Sequence, residues 1–286
     1  MNIFREVKIG LALSGGAARS LVHVGVLKVL SENKIPIHFI AGTSGGALIG
    51  AMYAAGLSIE TILELATRVR WRHLASVTIP RTGLFSMEPL EIFLRQYLHH
   101  LTFSDLKIPI SVVATNLLTG EEVDLNKGDL VRAIRASCSI PQVFKPVEIE
   151  GMMLVDGGVV NYLPADVVRK MGAEVVIAVN ASARAEIRKE ITNIPQVVIQ
   201  VLNLVAQQNA RLMERYADFV ICPDVQDLSP VALDRAKEFI HLGERVTRAV
   251  IPYLKKEILR RSSLFHRGKK RIYLHPSSVK RVKKFT

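Results

Sequence analysis

Two short apolar segments that each lead into paired glycines limit the fold of this chain more than any other feature of its sequence. Residues 7–14 (VKIGLALS) end at Gly15-Gly16, and residues 37–41 lead into the G-T-S-G-G pattern of residues 42–46. Apolar runs of this length that stop at glycine are typical of buried strands. A helical pattern follows each of them, so both strands are predicted to turn sharply into a helix.

The remainder of the chain continues this alternation. Hairpins are predicted at residues 110–125 and 147–155, with turns at Gly120 and at Glu150-Gly151. Two further strands and the long helices at 194–216 and 234–261 follow. Alternating strands and helices predict the α/β class, as three α/β/α layers around a largely parallel central sheet. Hydrophobic residues make up 49% of the 286 residues, enough to bury a sizeable core.

Positive charge is concentrated at the carboxyl-terminal end. Residues 255–286 contain 12 Lys or Arg and one acid, a net charge of +11, whereas the whole chain carries +12. The first 254 residues are therefore nearly neutral. We predict one folded domain over residues 1–261 and a basic tail over residues 262–286, which would bind an anionic membrane surface. No DNA- or RNA-binding motif accompanies the tail, so nucleic acid is not the predicted partner.

Ser44 lies at the centre of a G-x-S-x-G pattern between a predicted strand and a predicted helix. A sharp turn there lifts a serine hydroxyl out of the backbone, and the positive end of the helix faces any developing negative charge. The context favours a nucleophile, although serine is also common as a plain helix cap.

A second glycine-rich loop, Gly15-Gly16-Ala17, follows the first strand and opens a helix. Such loops offer free backbone N–H groups to an anion, which in an acyl hydrolase is the tetrahedral oxyanion. Neither G-x-G-x-x-G nor a Walker A lysine is present, so dinucleotide and nucleotide binding are not indicated. A plain strand-to-helix turn is the alternative interpretation.

Asp156 precedes Gly157-Gly158 at the end of a predicted strand, a pattern that also occurs in ordinary turns. A Ser-Asp-His triad would need a histidine after Asp156, and the candidates are His241, His266 and His275. His241 falls within a predicted helix and the others within the tail, so a Ser–Asp pair fits better. His23 is predicted to be a packed core residue.

The motifs at residues 15–19, 42–46 and 156–158, in this order, resemble the patatin-like phospholipase family, including its bacterial members and the esterase domain of neuropathy target esterase. The resemblance implies a calcium-independent Ser–Asp dyad that cleaves acyl esters of phospholipids or lysophospholipids, with no metal or other cofactor. It implies that Ser44 is the nucleophile, that Asp156 is its base, and that the N–H groups of Gly15, Gly16 and Ala17 form the oxyanion hole. Arg19 would brace that loop, and the remaining glycines would support the site: Gly42, Gly45, Gly46, Gly157 and Gly158.

Two residues depart from the family pattern, which usually has glycine where Ala17 and Ser20 stand. An alanine that needs a positive φ would cost about 1 kcal/mol or more. A lipid-binding or regulatory protein with a weak or inactive site is therefore the alternative function. The segment 57–101 is expected to shield an acyl chain, and Trp71 to be a half-buried residue at a solvated helix end.

The sequence also gives expectations about location. Cys138 and Cys222 do not form a disulfide framework, and no secretory signal is evident. We expect a cytoplasmic protein, peripheral on the inner face of the membrane. The sequence leaves the oligomeric state open.

Overall fold

The computed structural model describes residues 6–78, 82–182, 191–263 and 272–273. Strands and helices alternate through these residues. The strands are β1 (Ile9–Leu13), β2 (Phe39–Thr43), β3 (Ser76–Val77), β4 (Phe85–Ser86), β5 (Ile110–Asn116), β6 (Glu122–Leu125), β7 (Val147–Ile149), β8 (Met152–Asp156), β9 (Val175–Val179), β10 (Phe219–Ile221) and β11 (Ile272–Tyr273). The helices are α1 (Val22–Glu32), α2 (Gly45–Ala54), α3 (Ile59–Arg68), α4 (Trp71–Leu74), α5 (Glu88–Leu98), α6 (Leu130–Ser137), α7 (Ala165–Lys170), α8 (Ile194–Met213) and α9 (Ala236–Ser262).

The main sheet has the strand order β11-β10-β9-β1-β2-β5-β8-β7, and β6 pairs with β5 outside this path. Neighbouring strands from β11 to β5 are parallel, whereas β6 and β8 are antiparallel to β5, and β7 is antiparallel to β8. The predicted α/β fold with a largely parallel sheet is therefore confirmed.

Side chains that alternate along the central strands build a separate core on each face of the sheet. In β1, Leu11 and Leu13 belong to the larger core, beneath α1, α2 and α9, whereas Ala12 belongs to the smaller core. The smaller core is closed by α7 and by buried residues of α8 such as Ala210. Two helical layers thus enclose the sheet, as the predicted α/β/α arrangement requires.

Most predicted elements occur within a few residues of their expected positions, and the main differences are local. The helix after β1 begins as a 3-10 turn over Ala17–Leu21 before α1. Between α3 and α5 lie the short helix α4 and the small β3–β4 sheet. These elements are two to four residues long, too short for a periodic pattern to reveal.

Buried ion pairs fix the carboxyl-terminal end of α9 near the amino-terminal ends of the parallel strands. Arg261 contacts both Glu257 and Asp218 at 2.7 Å, and Asp218 also pairs with Arg169 at 2.6 Å. Asp218 immediately precedes β10, so this end of α9 lies far from the carboxyl ends of the parallel strands.

The predicted tail begins where α9 ends. Within it, β11 pairs in parallel with β10 and extends the sheet by one strand. The rest of that segment, residues 264–271 and 274–286, lies outside the described residues, so a separate basic tail stays a prediction. Across the parts of the chain that the structure describes, no helix has both the length and the apolar character needed to cross a membrane.

Candidate active site

Ser44 occupies a strained turn between β2 and α2. Its backbone angles are φ 55° and ψ −125°, close to those of the first central position of a type II′ turn, which glycine usually fills. A side chain there costs about 1–3 kcal/mol, which the surrounding structure must supply. The sharp turn predicted from the sequence is thus present, and Ser44 precedes the first turn of α2.

The sheet brings Ser44 to Asp156 through a shared neighbour, β5. Thr43, the last residue of β2, pairs with Val113, and Asp156, the last residue of β8, pairs with Ala114. At both Val113 and Ala114, β6 pairs with the other side of β5. Strands β2 and β8 must therefore pair with the same side of β5, where they meet end to end. The carboxyl ends of β2 and β8 therefore converge. This brings Ser44 and Asp156, the candidate nucleophile and base, beside adjacent residues of β5.

Asp156 is buried, with 7% of its surface exposed, and its backbone is fixed on both sides. Its N–H donates to the carbonyl oxygen of Ser139 (2.9 Å), and its own carbonyl oxygen accepts a hydrogen bond from Thr115 Oγ1 (2.9 Å). Burial raises the pKa of the Asp156 carboxyl group to about 6, whereas hydrogen bonds from the Ser44 side chain and from Gly158 N–H (2.7 Å) act in the opposite direction. A carboxylate with this pKa is ionised at neutral pH and still basic enough to accept a proton.

Two residues of the site were missed by sequence reasoning. Ser137 accepts a hydrogen bond from Ser44 N–H (2.8 Å) and donates one to the Val113 carbonyl oxygen (2.6 Å), so it ties the strained turn to β5. The buried residue Cys138 lines the same cavity as Ser44, and burial together with the charge of Asp156 raises the pKa of its thiol. No local pattern in the sequence marks either residue.

The loop after β1 offers fewer free donors than the resemblance implied. Gly15 N–H is already donated to the carbonyl oxygen of Tyr162 (3.2 Å), and Ala18 N–H to that of Pro230 (2.9 Å). Gly16 and Ala17 make no backbone N–H hydrogen bond to any described residue, and both line a cavity with Ser44. Gly16 and Ala17 therefore have the available N–H groups of this loop, whereas the Gly15 N–H group already has a partner; an oxyanion hole here stays a prediction.

Ala17 has a φ of 49°, so it adopts the left-handed conformation that favours glycine. Ser20, the other departure from the family pattern, donates a hydrogen bond from its hydroxyl to the Ala17 carbonyl oxygen (2.6 Å). The condition under which alanine strains this loop is therefore met. Ser20 holds the strained peptide in place.

Arg19 and His23 attach the same loop to the body of the protein. Arg19 Nε donates to the carbonyl oxygen of Leu228 (3.0 Å), which supports the bracing role implied for it. His23 is fully buried, and its Nε2 lies 2.8 Å from the carbonyl oxygen of Ser14. Because a carbonyl oxygen can only accept a hydrogen bond, His23 Nε2 is the donor. Burial lowers the pKa of His23 to about 4, so the ring is neutral at pH 7 and holds the start of the loop.

The supporting glycines leave room for close backbone contacts. A Cβ atom at Gly46 would collide with the carbonyl oxygen of Leu13, and one at Gly157 with that of Val113. Similar collisions would occur at Gly42, with Ala47, and at Gly45, with the Ser20 side chain. These glycines let β1, α2 and β5 approach closely enough to position the site. At Gly158, a Cβ atom would come within 3.0 Å of the Asp156 carboxylate.

An apolar chamber extends from Ser44 on one side and encloses about 860 Å³, part of it open to solvent. Residues from α1, α2 and the predicted shielding segment 57–101 line it, among them Val24, Leu48, Met52, Leu65, Trp71, Leu90 and Leu94. Trp71, 38% exposed, is the most exposed large hydrophobic side chain of this lining and marks its mouth, while its Nε1 donates to the Val231 carbonyl oxygen (2.8 Å). The size and apolar lining of the chamber suit a hydrocarbon chain.

A second cavity lies on the other side of Ser44. Its lining mixes polar and apolar residues, and we call it the polar chamber because it is the more polar of the two. It encloses about 610 Å³, part of it open to solvent, and Arg19, Asp156, Tyr162, Ser182 and Asn203 are among its lining residues. Tyr162 donates a hydrogen bond to Ser182 Oγ (2.7 Å). Ser44 thus lies where an apolar cavity and a polar cavity meet.

None of the histidines in the described part of the chain hydrogen-bonds to Ser44 or Asp156. His241 is exposed on α9. His266 and His275 lie outside the described residues. The Ser–Asp pair itself remains a prediction for experiment to test.

Fold and site together define an α/β protein whose candidate nucleophile is a serine on a strand-turn-helix elbow. A family model described as Patatin-like phospholipase matches residues 11–169, more than half of the chain. The chain therefore belongs to the patatin-like phospholipase family.

Individual relatives agree with this assignment. An uncharacterised NTE family protein of Mycobacterium tuberculosis is 35% identical over 176 residues, which cover 60% of this chain and 49% of the relative. Neuropathy target esterase of Drosophila melanogaster is 33% identical over 184 residues, covering 62% of this chain and 13% of that protein. This chain thus matches about half the length of the mycobacterial relative and a small part of the esterase.

Among solved structures, VipD of Legionella pneumophila has a similar fold, with a TM-score of 0.54 at 15% identity. The match covers 87% of this chain and 67% of VipD. At this identity the likeness supports the fold.

Proposed function

We propose that this protein is a serine lipid acyl hydrolase that uses Ser44 and Asp156 to release a fatty acid from a phospholipid or lysophospholipid. The observation that carries the proposal is the position of Ser44. It lies on a strained elbow beside a buried carboxylate, between an apolar chamber and a polar chamber. Family membership and the names of the esterase relatives agree with it.

The proposed reaction has two steps. Asp156 accepts the proton of the Ser44 hydroxyl as Ser44 Oγ attacks the ester carbonyl carbon, and the N–H groups of Gly16 and Ala17 bind the resulting oxyanion. The ester C–O bond then breaks, and the departing alcohol takes the proton from Asp156. Asp156 next removes a proton from water, which attacks the acyl-Ser44 ester, and the proton returns to Ser44 as the fatty acid leaves.

The test is covalent labelling combined with ester hydrolysis. A fluorophosphonate probe is expected to label wild-type protein, and Ser44→Ala is expected to lose both labelling and hydrolysis of a short-chain p-nitrophenyl ester. Ser182→Ala is the matched control, since Ser182 also lines the polar chamber, and it should still be labelled. Labelling that survives Ser44→Ala would refute the assignment.

The base is tested separately. Asp156→Asn should reduce turnover by several orders of magnitude, whereas replacing His241, His266 and His275 together should leave most of it. A histidine as essential as Ser44 would instead indicate a triad. Chelators should leave the rate unchanged, because the proposed chemistry needs no metal.

One observation favours the alternative function, a lipid-binding or regulatory protein with a weak site. Ala17, a proposed oxyanion donor, is held in a strained conformation. Binding of a fatty acid or lysophospholipid without turnover, in protein that also resists the fluorophosphonate, would support that alternative.

We further propose that the protein works on the cytoplasmic face of a membrane, to which the basic segment after α9 is attracted. The net charge of +11 in residues 255–286 supports this placement, because anionic lipids attract basic segments by about 1 kcal/mol per residue.

A further inference from the structure

Helix α8 has an unusual composition for the surface of a basic protein. Residues 191–210 contain no Asp, Glu, Lys or Arg. The helix nevertheless lies on the outside of the smaller core, and few of its side chains, such as Ala206 and Ala210, are buried. Charged residues that would normally solvate such a helix are therefore missing.

The outward face of α8 is apolar. Along it, Ile194 is 79% exposed, Val197 47%, Val201 52%, Leu204 42%, Val205 39% and Leu212 56%. At 100° per residue these positions fall on one stripe, which extends over about 27 Å at 1.5 Å per residue. We call these six residues the α8 stripe.

The inward face of α8 lines the polar chamber. Leu202, Asn203 and Ala206 are among the residues that enclose this chamber together with Ser44 and Asp156. Asn209 Nδ2 donates to the carbonyl oxygen of Val159 (3.1 Å), three residues after Asp156. The helix is thus inverted relative to an ordinary surface helix, since its exposed face is more apolar than the face toward the chamber.

We infer that the α8 stripe docks on the surface of a phospholipid bilayer and inserts its apolar side chains among the lipids. An uncharged apolar face suits the boundary between lipid head groups and acyl chains, where interfacial helices lie in the plane of the membrane. The exposed Arg211 and Arg215, at the end of the helix, are placed to meet lipid phosphates.

A second exposed apolar group supports the same orientation. Gln226 to Pro230 line a cavity together with α8 residues such as Asn203. Val231, the next residue, is 61% exposed and contacts Trp71 at the mouth of the apolar chamber. Val231 thus lies beside both chambers, since it follows Pro230 of the polar chamber and contacts Trp71 of the apolar chamber. The choice of lipid as partner rests on the proposed function.

The test is the partition of the full chain onto vesicles of phosphatidylcholine alone at high salt. Neutral lipid and salt suppress attraction of the basic segment, so any binding reports apolar insertion. The variant Val201→Gln/Val205→Gln removes two side chains of the stripe without adding charge. Leu259→Gln is the matched control, since Leu259 is 62% exposed on α9, which packs on the larger core, whereas α8 packs on the smaller core.

Wild-type protein and Leu259→Gln are expected to bind these vesicles. The double variant is expected to bind them at least about tenfold more weakly than wild type. Hydrolysis of a soluble short-chain ester should be equal in all three. A failure of all three proteins to hydrolyse any ester would count against the proposed function and leave the binding comparison valid. Equal vesicle binding by the double variant would overturn the inference. So would a wild-type dimer that the double variant disrupts, because the stripe would then contact a second copy of the chain.

Discussion

The ionised carboxylate of Asp156 is expected to destabilise the folded protein, so the stability of Asp156→Asn relative to wild type should rise as the pH increases towards neutrality. Burial raises the pKa of Asp156 from 3.8 to about 6. Between these values the folded protein holds a proton that the unfolded chain has lost, so the free energy of unfolding falls as pH rises. A difference of about 2 in pKa, at about 1.4 kcal/mol for each pH unit, gives a loss of about 3 kcal/mol that is complete above about pH 6.

Asparagine has a similar shape and no charge at any of these pH values. The absolute change in stability includes the cost of new amide contacts, but the pH dependence of the difference between the two proteins does not. We expect Asp156→Asn to gain about 2 kcal/mol relative to wild type between about pH 4.5 and about pH 8. Urea unfolding of both proteins at these two pH values measures the gain, since other titrations cancel in the comparison.

A control of opposite sign is available in the same chain. Asp105 is exposed, and hydrogen bonds from Thr102 lower its pKa. Asp105→Asn should therefore lose stability relative to wild type as pH rises. If the Asp156→Asn difference is independent of pH, or changes in the same direction as that of Asp105→Asn, then Asp156 is not a buried ionised group and the argument for it as a poised base fails.

Three further predictions concern the loop, the elbow and the basic segment. Ala17→Gly should relieve the strain at φ 49°, so kcat should rise or stay unchanged and stability should change by no more than about 1 kcal/mol; a large fall in kcat would show that Ala17 is not strained as described. Ser137→Ala should lower kcat more than it raises KM, because Ser44 N–H loses its partner, whereas Ser139→Ala, at a neighbouring buried serine that bonds to a helix carbonyl, should change kcat less. A chain that ends after residue 274 keeps β11 and should bind anionic vesicles more weakly than the full chain in low salt; equal binding, or a preference of the full chain for DNA, would argue against a membrane role for the removed residues.

The sequence was most informative where local chemistry decides the structure. Apolar runs that end at glycine identified β1 and β2, and the pattern around Ser44 predicted a turn that the dihedral angles show. It was least informative where the sheet brings distant residues together. Ser137 and Cys138 reach Ser44 because α6 packs near β5, and the Gly15 N–H group is occupied because Tyr162 folds back onto it. The sequence also could not decide whether φ at Ala17 is positive, because the fold around the loop sets that angle.

The meeting of β2 and β8 on one edge of β5 also makes the site a reporter of folding. Ser44 and Asp156 are 112 positions apart in the sequence, and each depends on a different strand being in register with β5. Contacts of such long range form slowly, because a long loop must close before they contribute any stability. A chain in which β8 has not yet paired would retain the Ser44 turn but lack its neighbouring carboxylate. Recovery of fluorophosphonate labelling during refolding should therefore follow the pairing of β8, later than the formation of helices.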